Sequence, residues 1–245
     1  MKGFAFVLLC ALVAVQGRST AVQSASRELA TLGENPYVVH LRLAVSTSGL
    51  LKTCAASVIS PSWVLTAASC LEDNRYVWIR FGAVNVANPT LVFEAGNAGV
   101  RVLNNLGLYT ANNRAVDFSQ AATIAPVALS EAGVSDSGKL CVFGANSEGG
   151  PGELLSCATV GLEAQEDGSV IISSDDVSAT EFDLGAAIVS DGVQVGVVTG
   201  AGSDDNAGVA TSVEDYLSWI QETTGVNSNS LAMPEVAPSA VKFVN

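Results

Sequence analysis

The sequence is poor in histidine, with His40 alone among 245 residues, and poor in basic side chains, with 11 Lys plus Arg against 24 Asp plus Glu. A formal charge of −13 repels phosphate backbones and anionic headgroups, which argues against nucleic acid and against direct membrane attachment. Long apolar runs are missing too. Beyond Val15 nothing approaches the ~18 uninterrupted apolar residues that a membrane-spanning helix needs. The run Phe4–Val15 is itself too short to span. With Lys2 before it and the small Gly17 after it, residues 1–17 read as a signal peptide. A secreted, extracellular protein is the expectation. Losing Lys2 with that peptide leaves 10 basic residues against 24 acidic ones, or −14. There is no N-x-[ST] acceptor, since Asn88 precedes Pro89, and no internal repeat. The acidic pairs Asp175-Asp176 and Asp204-Asp205 lack the alternating spacing of a calcium loop and read as solvated carboxylates.

Cysteine is sparse but even once Cys10 leaves with the signal peptide. The remaining Cys54, Cys70, Cys141 and Cys157 predict two disulfides in an exported chain, in one of three pairings. None shows the close spacing of a zinc motif, and His40 is far from them, so neither metal nor cofactor is expected. Cys54 with Cys70, and Cys141 with Cys157, each enclose 15 residues. A bridge closing such a loop contributes about 3 kcal/mol in the chain-entropy view.

What the sequence has in quantity is short β-branched runs set off by Gly, Asn, Asp and Ser. The runs are Tyr37–Leu43, Ala56–Ile59, Val64–Ala67, Tyr76–Val84, Leu91–Glu94, Lys139–Phe143, Leu155–Leu162, Val170–Ser173, Ala186–Val189 and Val193–Thr199. Many short strands at this spacing predict an all-β barrel or sandwich. Asp191-Gly192 between the last two is the chemistry of a tight hairpin. One helix is predicted, from about Val213 to Thr224, with Val213, Leu217 and Ile220 as its apolar stripe and Tyr216 and Trp219 flanking. Ser212 and Asp215 loosely resemble a capping box, and Gly225 is a natural C-cap. Residues 18–33 read as a polar N-terminal segment, residues 34–226 as one domain, and 227–245 as a flexible tail.

The segment Cys54-Ala-Ala-Ser-Val-Ile-Ser-Pro-Ser-Trp-Val-Leu-Thr-Ala-Ala-Ser-Cys70 resembles the chymotrypsin-like serine proteases. They carry C-G-G-S-L-I-S-P-x-W-V-L-T-A-A-H-C there, with the two cysteines bridged and the catalytic histidine before the second. Ser69 stands in the histidine's place. The likeness continues in order: Pro36–Arg42 is similar to an early strand, and Asn104–Leu108 to the N-D-I-A-L that holds the triad aspartate, which puts Asn105 at that position. Ile124–Leu129 resembles the I-x-P-[VI]-x-L that follows. Phe182-Asp-Leu-Gly-Ala-Ala-Ile-Val189 stands at G-D-S-G-G-P-L-V, with Leu184 at the nucleophile, and Gly208–Val213 resembles G-V-Y-T-R-V. The resemblance implies two six-stranded antiparallel β-barrels with a C-terminal α-helix, and a Cys54–Cys70 bridge. The family partner of Cys141 falls at Ser190, so Cys141 is expected to bridge to Cys157 across adjacent antiparallel strands.

Triad chemistry needs an activated hydroxyl, an imidazole that takes and returns its proton, and a carboxylate that orients the imidazole. Ser69, Asn105 and Leu184 supply none of these roles, and His40 sits in a strand away from them. Further losses follow the same resemblance. Phe182 replaces the oxyanion-hole glycine, Thr199-Gly200-Ala201 replaces the S-W-G rim, and Ser178 falls near the pocket base. Thr180 stands where a pocket disulfide begins, so that loop is expected to be looser. No Ile-Val start follows Arg27, which leaves Asp183 without the amino terminus that pairs with it in active enzymes. These losses predict a non-enzyme, a pseudoprotease similar to the secreted serine protease homologues of invertebrates. The expected role is protein binding, as cofactor, decoy or regulator of extracellular proteases. The alternative is a structural or bulk secreted matrix protein, which the Ala-, Val-, Ser- and Gly-rich composition fits.

Overall fold

A computed structural model describes residues 27–45, 49–110 and 114–227 of the chain. The expected signal peptide (1–17), the first part of the N-terminal segment and all of the tail but Asn227 lie outside the described residues.

The strands, in chain order, are β1 (Glu28–Leu29), β2 (Val38–Val45), β3 (Leu50–Val58), β4 (Trp63–Ala67), β5 (Asn74–Phe81), β6 (Leu91–Gly96), β7 (Val100–Leu103) and β8 (Leu106–Thr110), then β9 (Ala128–Leu129), β10 (Ser137–Val142), β11 (Ser156–Ala164), β12 (Ser169–Ser173), β13 (Ala187–Ser190), β14 (Val193–Gly200) and β15 (Gly208–Ser212). A single helical turn, α1 (Ala68–Leu71), follows β4, and α2 (Leu217–Thr224) closes the chain.

Alternation builds the first barrel. In β2, Val39, Leu41 and Leu43 are fully buried and point into the barrel; on the opposite face Arg42 is exposed, while Val38 and His40 are buried as well. The strand order is β6-β5-β2-β3-β4-β8-β7. β6 and β7 are consecutive and are joined by one 3₁₀ turn, Asn97–Gly99, so together they form the sixth side and close the ring. Gly99 is required there, because a Cβ would stand 1.9 Å from the Thr110 carbonyl oxygen. The second barrel runs β11-β10-β13-β14-β15-β12 and returns to β11, a closed ring of six antiparallel strands. Two short additions go beyond the expected architecture: β1 pairs with β11, and β9 pairs in parallel with β14.

Each barrel has its own apolar core, and a third cluster joins them. Tyr216 and Ile220, with Val213, pack on Ile59, Leu65, Leu106 and Leu108 of the first barrel and on Val197 of the second. The predicted stripe is therefore the clamp between barrels. The capping box expected at Ser212 is not formed. Val213 caps a 3₁₀ turn, Glu214–Tyr216, without a side-chain bond, and α2 starts only at Leu217. The other end follows expectation, with Gly225 at φ 73° donating its N–H to Gln221 at 2.8 Å. The Asp191-Gly192 hairpin also forms, both residues at positive φ (50° and 81°) as a type I′ turn demands.

Both disulfides form as expected, Cys54–Cys70 and Cys141–Cys157. Cys141 and Cys157 face each other directly across β10 and β11. The sequence reading missed β7, β8 and β15 as strands. Their short runs are broken by Asn104-Asn105, Gly107 and Gly208, residues that strand propensity disfavours.

Candidate functional site

The segment where the family nucleophile falls is a 3₁₀ turn, Glu181–Asp183, followed by Leu184 and Gly185. Thr180 caps it reciprocally with Asp183. Asp183 is fully buried, and four donors hold it. The N–H groups of Phe143 and Gly144 reach Oδ1 at 2.9 Å each. The Thr180 N–H and hydroxyl reach Oδ2 at 2.9 and 2.6 Å. A local network thus satisfies the carboxylate with no amino terminus among its donors. The Phe182 N–H donates to Thr180 Oγ1 at 3.3 Å, so this amide is turned into the capping box.

Leu184 is half-buried and packs against the cores of both barrels. Its carbonyl accepts the Ala55 N–H at 2.8 Å. The same oxygen lies 3.3 Å from Cys70 Sγ, a contact only, because a disulfide sulfur has no proton to donate. Gly185 adopts φ 88°, and a Cβ there would stand 2.1 Å from both the Ala55 carbonyl and Thr66 Oγ1. Only glycine fits.

Ser69 lies in α1, between two residues that tie it to the other positions. Ala68 before it donates to the Asn105 carbonyl at 2.8 Å, and Cys70 after it touches Leu184. The fold therefore gathers Ser69, Asn105 and Leu184 at one junction of the barrels. Ser69 Oγ is buried without a hydrogen-bond partner among the described residues, while Lys52 Nζ donates to the Ser69 carbonyl. Asn105 is exposed in the two-residue turn between β7 and β8. At these positions a serine hydroxyl is no base at neutral pH, an asparagine amide carries no counter-charge, and a leucine side chain has no nucleophilic atom.

His40 stays outside this junction. It faces Ala55 across β2 and β3, and its ring packs edge-on to Phe143 at 4.9 Å. Burial, with Arg80 and Arg42 nearby, lowers its pKa to about 3, so it is neutral at pH 7. Ser178 is exposed beside Gly202. The loop lacking the family disulfide is tied by backbone bonds instead, Ala179 to Ala207 and Gly202 to Ala179, both at 2.8 Å. Among the described residues no three His, Cys, Asp or Glu side chains cluster to hold a metal ion. Sequence reasoning missed the role of Thr180. The signal was present in the spacing Thr180-x-x-Asp183, which the absent cysteine obscured.

A family profile described as Trypsin matches residues 26–220, most of the chain. The chain belongs to the trypsin family. It is 25% identical over 205 residues to serine protease 1 of Rattus norvegicus, covering 71% of this chain and 81% of that protein. With trypsin II-P29 of Gallus gallus it shares 27% over 199 residues, 69% of this chain and 79% of the relative. The fold is similar to that of the solved HL collagenase, with a TM-score of 0.67 at 20% identity over 82% of this chain and 98% of the collagenase. A structure titled GrC gives a TM-score of 0.69 at 18% identity, covering 81% and 98%. These two likenesses concern the fold alone. Within the trypsin family frame, Phe182–Gly185 is the segment on which acyl transfer is built in active members, and here its conformation is set by Thr180 and Asp183.

Proposed function

We propose that this trypsin-family chain is an exported pseudoprotease that hydrolyses nothing and acts by binding extracellular protein. The carrying observation is the Phe182–Gly185 segment. Leu184 occupies the nucleophile's position, its side chain serves as packing for both barrels, and the Phe182 amide beside it is committed to Thr180. Ser69 and Asn105, at the other two positions, remove base and counter-charge together. A preserved scaffold beside the loss of every acyl-transfer group fits a surface retained for recognition. The apolar run at residues 4–15 and the two disulfides support export.

The test uses the secreted chain in two assays. A fluorophosphonate probe labels an active trypsin control and leaves this chain unlabelled; labelling abolished by Ser69→Ala would overturn the non-enzyme reading. Affinity capture from the native extracellular fluid then recovers a defined protease or protease-binding protein. Recovery of nothing, with high abundance and self-assembly on gel filtration, favours the matrix-protein reading instead.

A further inference from the structure

The outer face of the first barrel concentrates cationic donors that the described residues leave largely unused. Alternation in β2 puts His40 and Arg42 on the same face. Register then sets Arg80 of β5 opposite His40, and Thr53 of β3 opposite Arg42. Four polar side chains thus share one patch across three adjacent strands. The second barrel covers the His40 end of the patch: the Val86 N–H binds the Glu153 carbonyl at 3.0 Å, and the Leu155 N–H binds the Val84 carbonyl at 2.9 Å. Those bonds draw Pro151–Glu153 over the face and leave a cavity of about 220 Å³ between the barrels.

Most donors in this cavity are left without an acceptor among the described residues. Arg80 gives one N–H to the Val86 carbonyl at 3.3 Å, and Arg42 has no hydrogen-bond partner among the described residues. Neither forms an ion pair among those residues, where the one pair is Lys139 with Glu34. His40 is 3% exposed, and its Nδ1 has no hydrogen-bond partner among the described residues. A guanidinium carries five N–H donors in a planar fork shaped for oxyanions. Two such forks side by side repel each other until an anion comes between them. Glu153 also lines the cavity and opposes an anion, although it pairs with neither arginine.

We propose that this cavity binds a doubly charged tetrahedral oxyanion, phosphate or sulfate, held between Arg42 and Arg80 with Thr53 as a hydroxyl contact. The cavity has room for such a group and its remaining waters. The protein's net charge of −13 does not prevent this. Distant acids are screened over about 8 Å at physiological salt, so the two local guanidinium groups set the potential. The site does not depend on whether the chain hydrolyses anything.

Thermal melting and calorimetry of the folded, disulfide-intact chain test the site. Inorganic phosphate and sulfate are compared with chloride at matched ionic strength. The melting midpoint rises with phosphate or sulfate and not with chloride. Arg42→Gln and Arg80→Gln each weaken binding about tenfold or more, as loss of a charge-assisted contact does. The double variant binds neither ion, and Glu153→Gln tightens binding. Should Arg80→Gln misfold, exposed Arg42→Gln alone decides. Phosphotyrosine and sulfotyrosine then separate the sources, since tighter binding than the free ion marks a group carried on a larger molecule. An equal response to chloride, or undiminished binding by the Arg42 variant, overturns the proposal.

Discussion

Thr180 donates both its N–H and its hydroxyl to one carboxylate oxygen of Asp183, at 2.9 and 2.6 Å, while its own Oγ1 receives the Phe182 N–H. One side chain therefore fixes a buried acid and turns an amide away from the cleft. Removing the carboxylate strands the amides of Phe143 and Gly144 as well as both Thr180 donors. Each unsatisfied buried donor costs about 1–3 kcal/mol. Asp183→Ala is expected to lose about 3–5 kcal/mol of stability, and Thr180→Val about 1–2 kcal/mol. Urea denaturation checks both. A loss below about 1 kcal/mol for Asp183→Ala would show that the network is not structural.

The same turn predicts what rebuilding the triad achieves. The triple variant S69H/N105D/L184S restores the three side chains but leaves the Phe182 amide in the capping box. It is expected to show no turnover of peptide esters above background. Adding Phe182→Gly frees the backbone to turn. Because one oxyanion donor is worth about 10²–10³ in rate, activity is expected to emerge only in the quadruple variant. Full turnover by the triple variant, measured with an active-site titrant, would refute the role assigned to this amide.

Alternation and cysteine number made the scaffold legible. The run around Val39-Leu41-Leu43 carries its core face in its period, and the Asp191-Gly192 turn carries its φ requirement in its chemistry. Ser69 was legible in the Cys54–Cys70 segment, Asn105 in Asn104–Leu108 and Leu184 in Phe182–Val189, each by its likeness to a known family, and the fold brings the three to one junction. The partner of Asp183 was not. Its donors come from Phe143 and Gly144, about forty residues away in sequence, and from a threonine whose place suggested only a missing disulfide. The juxtaposition of Arg42 with Arg80 was equally invisible, because it depends on the register of β2 against β5 and on a loop from the other barrel.

Cys141 and Cys157 sit opposite each other on neighbouring strands, so their bridge staples a hairpin whose pairing already exists. The loop-entropy estimate of about 3 kcal/mol is then an upper value, because the unfolded chain retains part of that local contact. Cys54–Cys70 instead ties α1 to β3 beside Leu184. The expected order of damage is therefore C54S/C70S above C141S/C157S. The first is predicted to lose about 3 kcal/mol and the second less. Melting of the two double variants measures this directly, and the reverse order would contradict the argument.

His40 gives the protein a pH dependence that one substitution isolates. Burial comes first among the causes that lower its pKa, followed by the charges of Arg80 and Arg42, and together they bring it to about 3. The unfolded chain titrates near 6.5. Between those values the unfolded state binds a proton that the folded state refuses, so stability falls as pH drops below about 6.5 and the loss is complete near 3. At roughly 1.4 kcal/mol per pH unit, the loss between pH 7 and pH 5 is about 2 kcal/mol from this one residue. Asp and Glu side chains of an unfolded chain take up protons near 4, below this window. His40→Leu keeps the apolar contact with Phe143 and removes both the titration and the unpartnered Nδ1. Unfolding free energies from urea titrations at the two pH values should therefore lie about 2 kcal/mol further apart for the native chain than for the variant. Equal separations would mean that His40 is protonated in the fold.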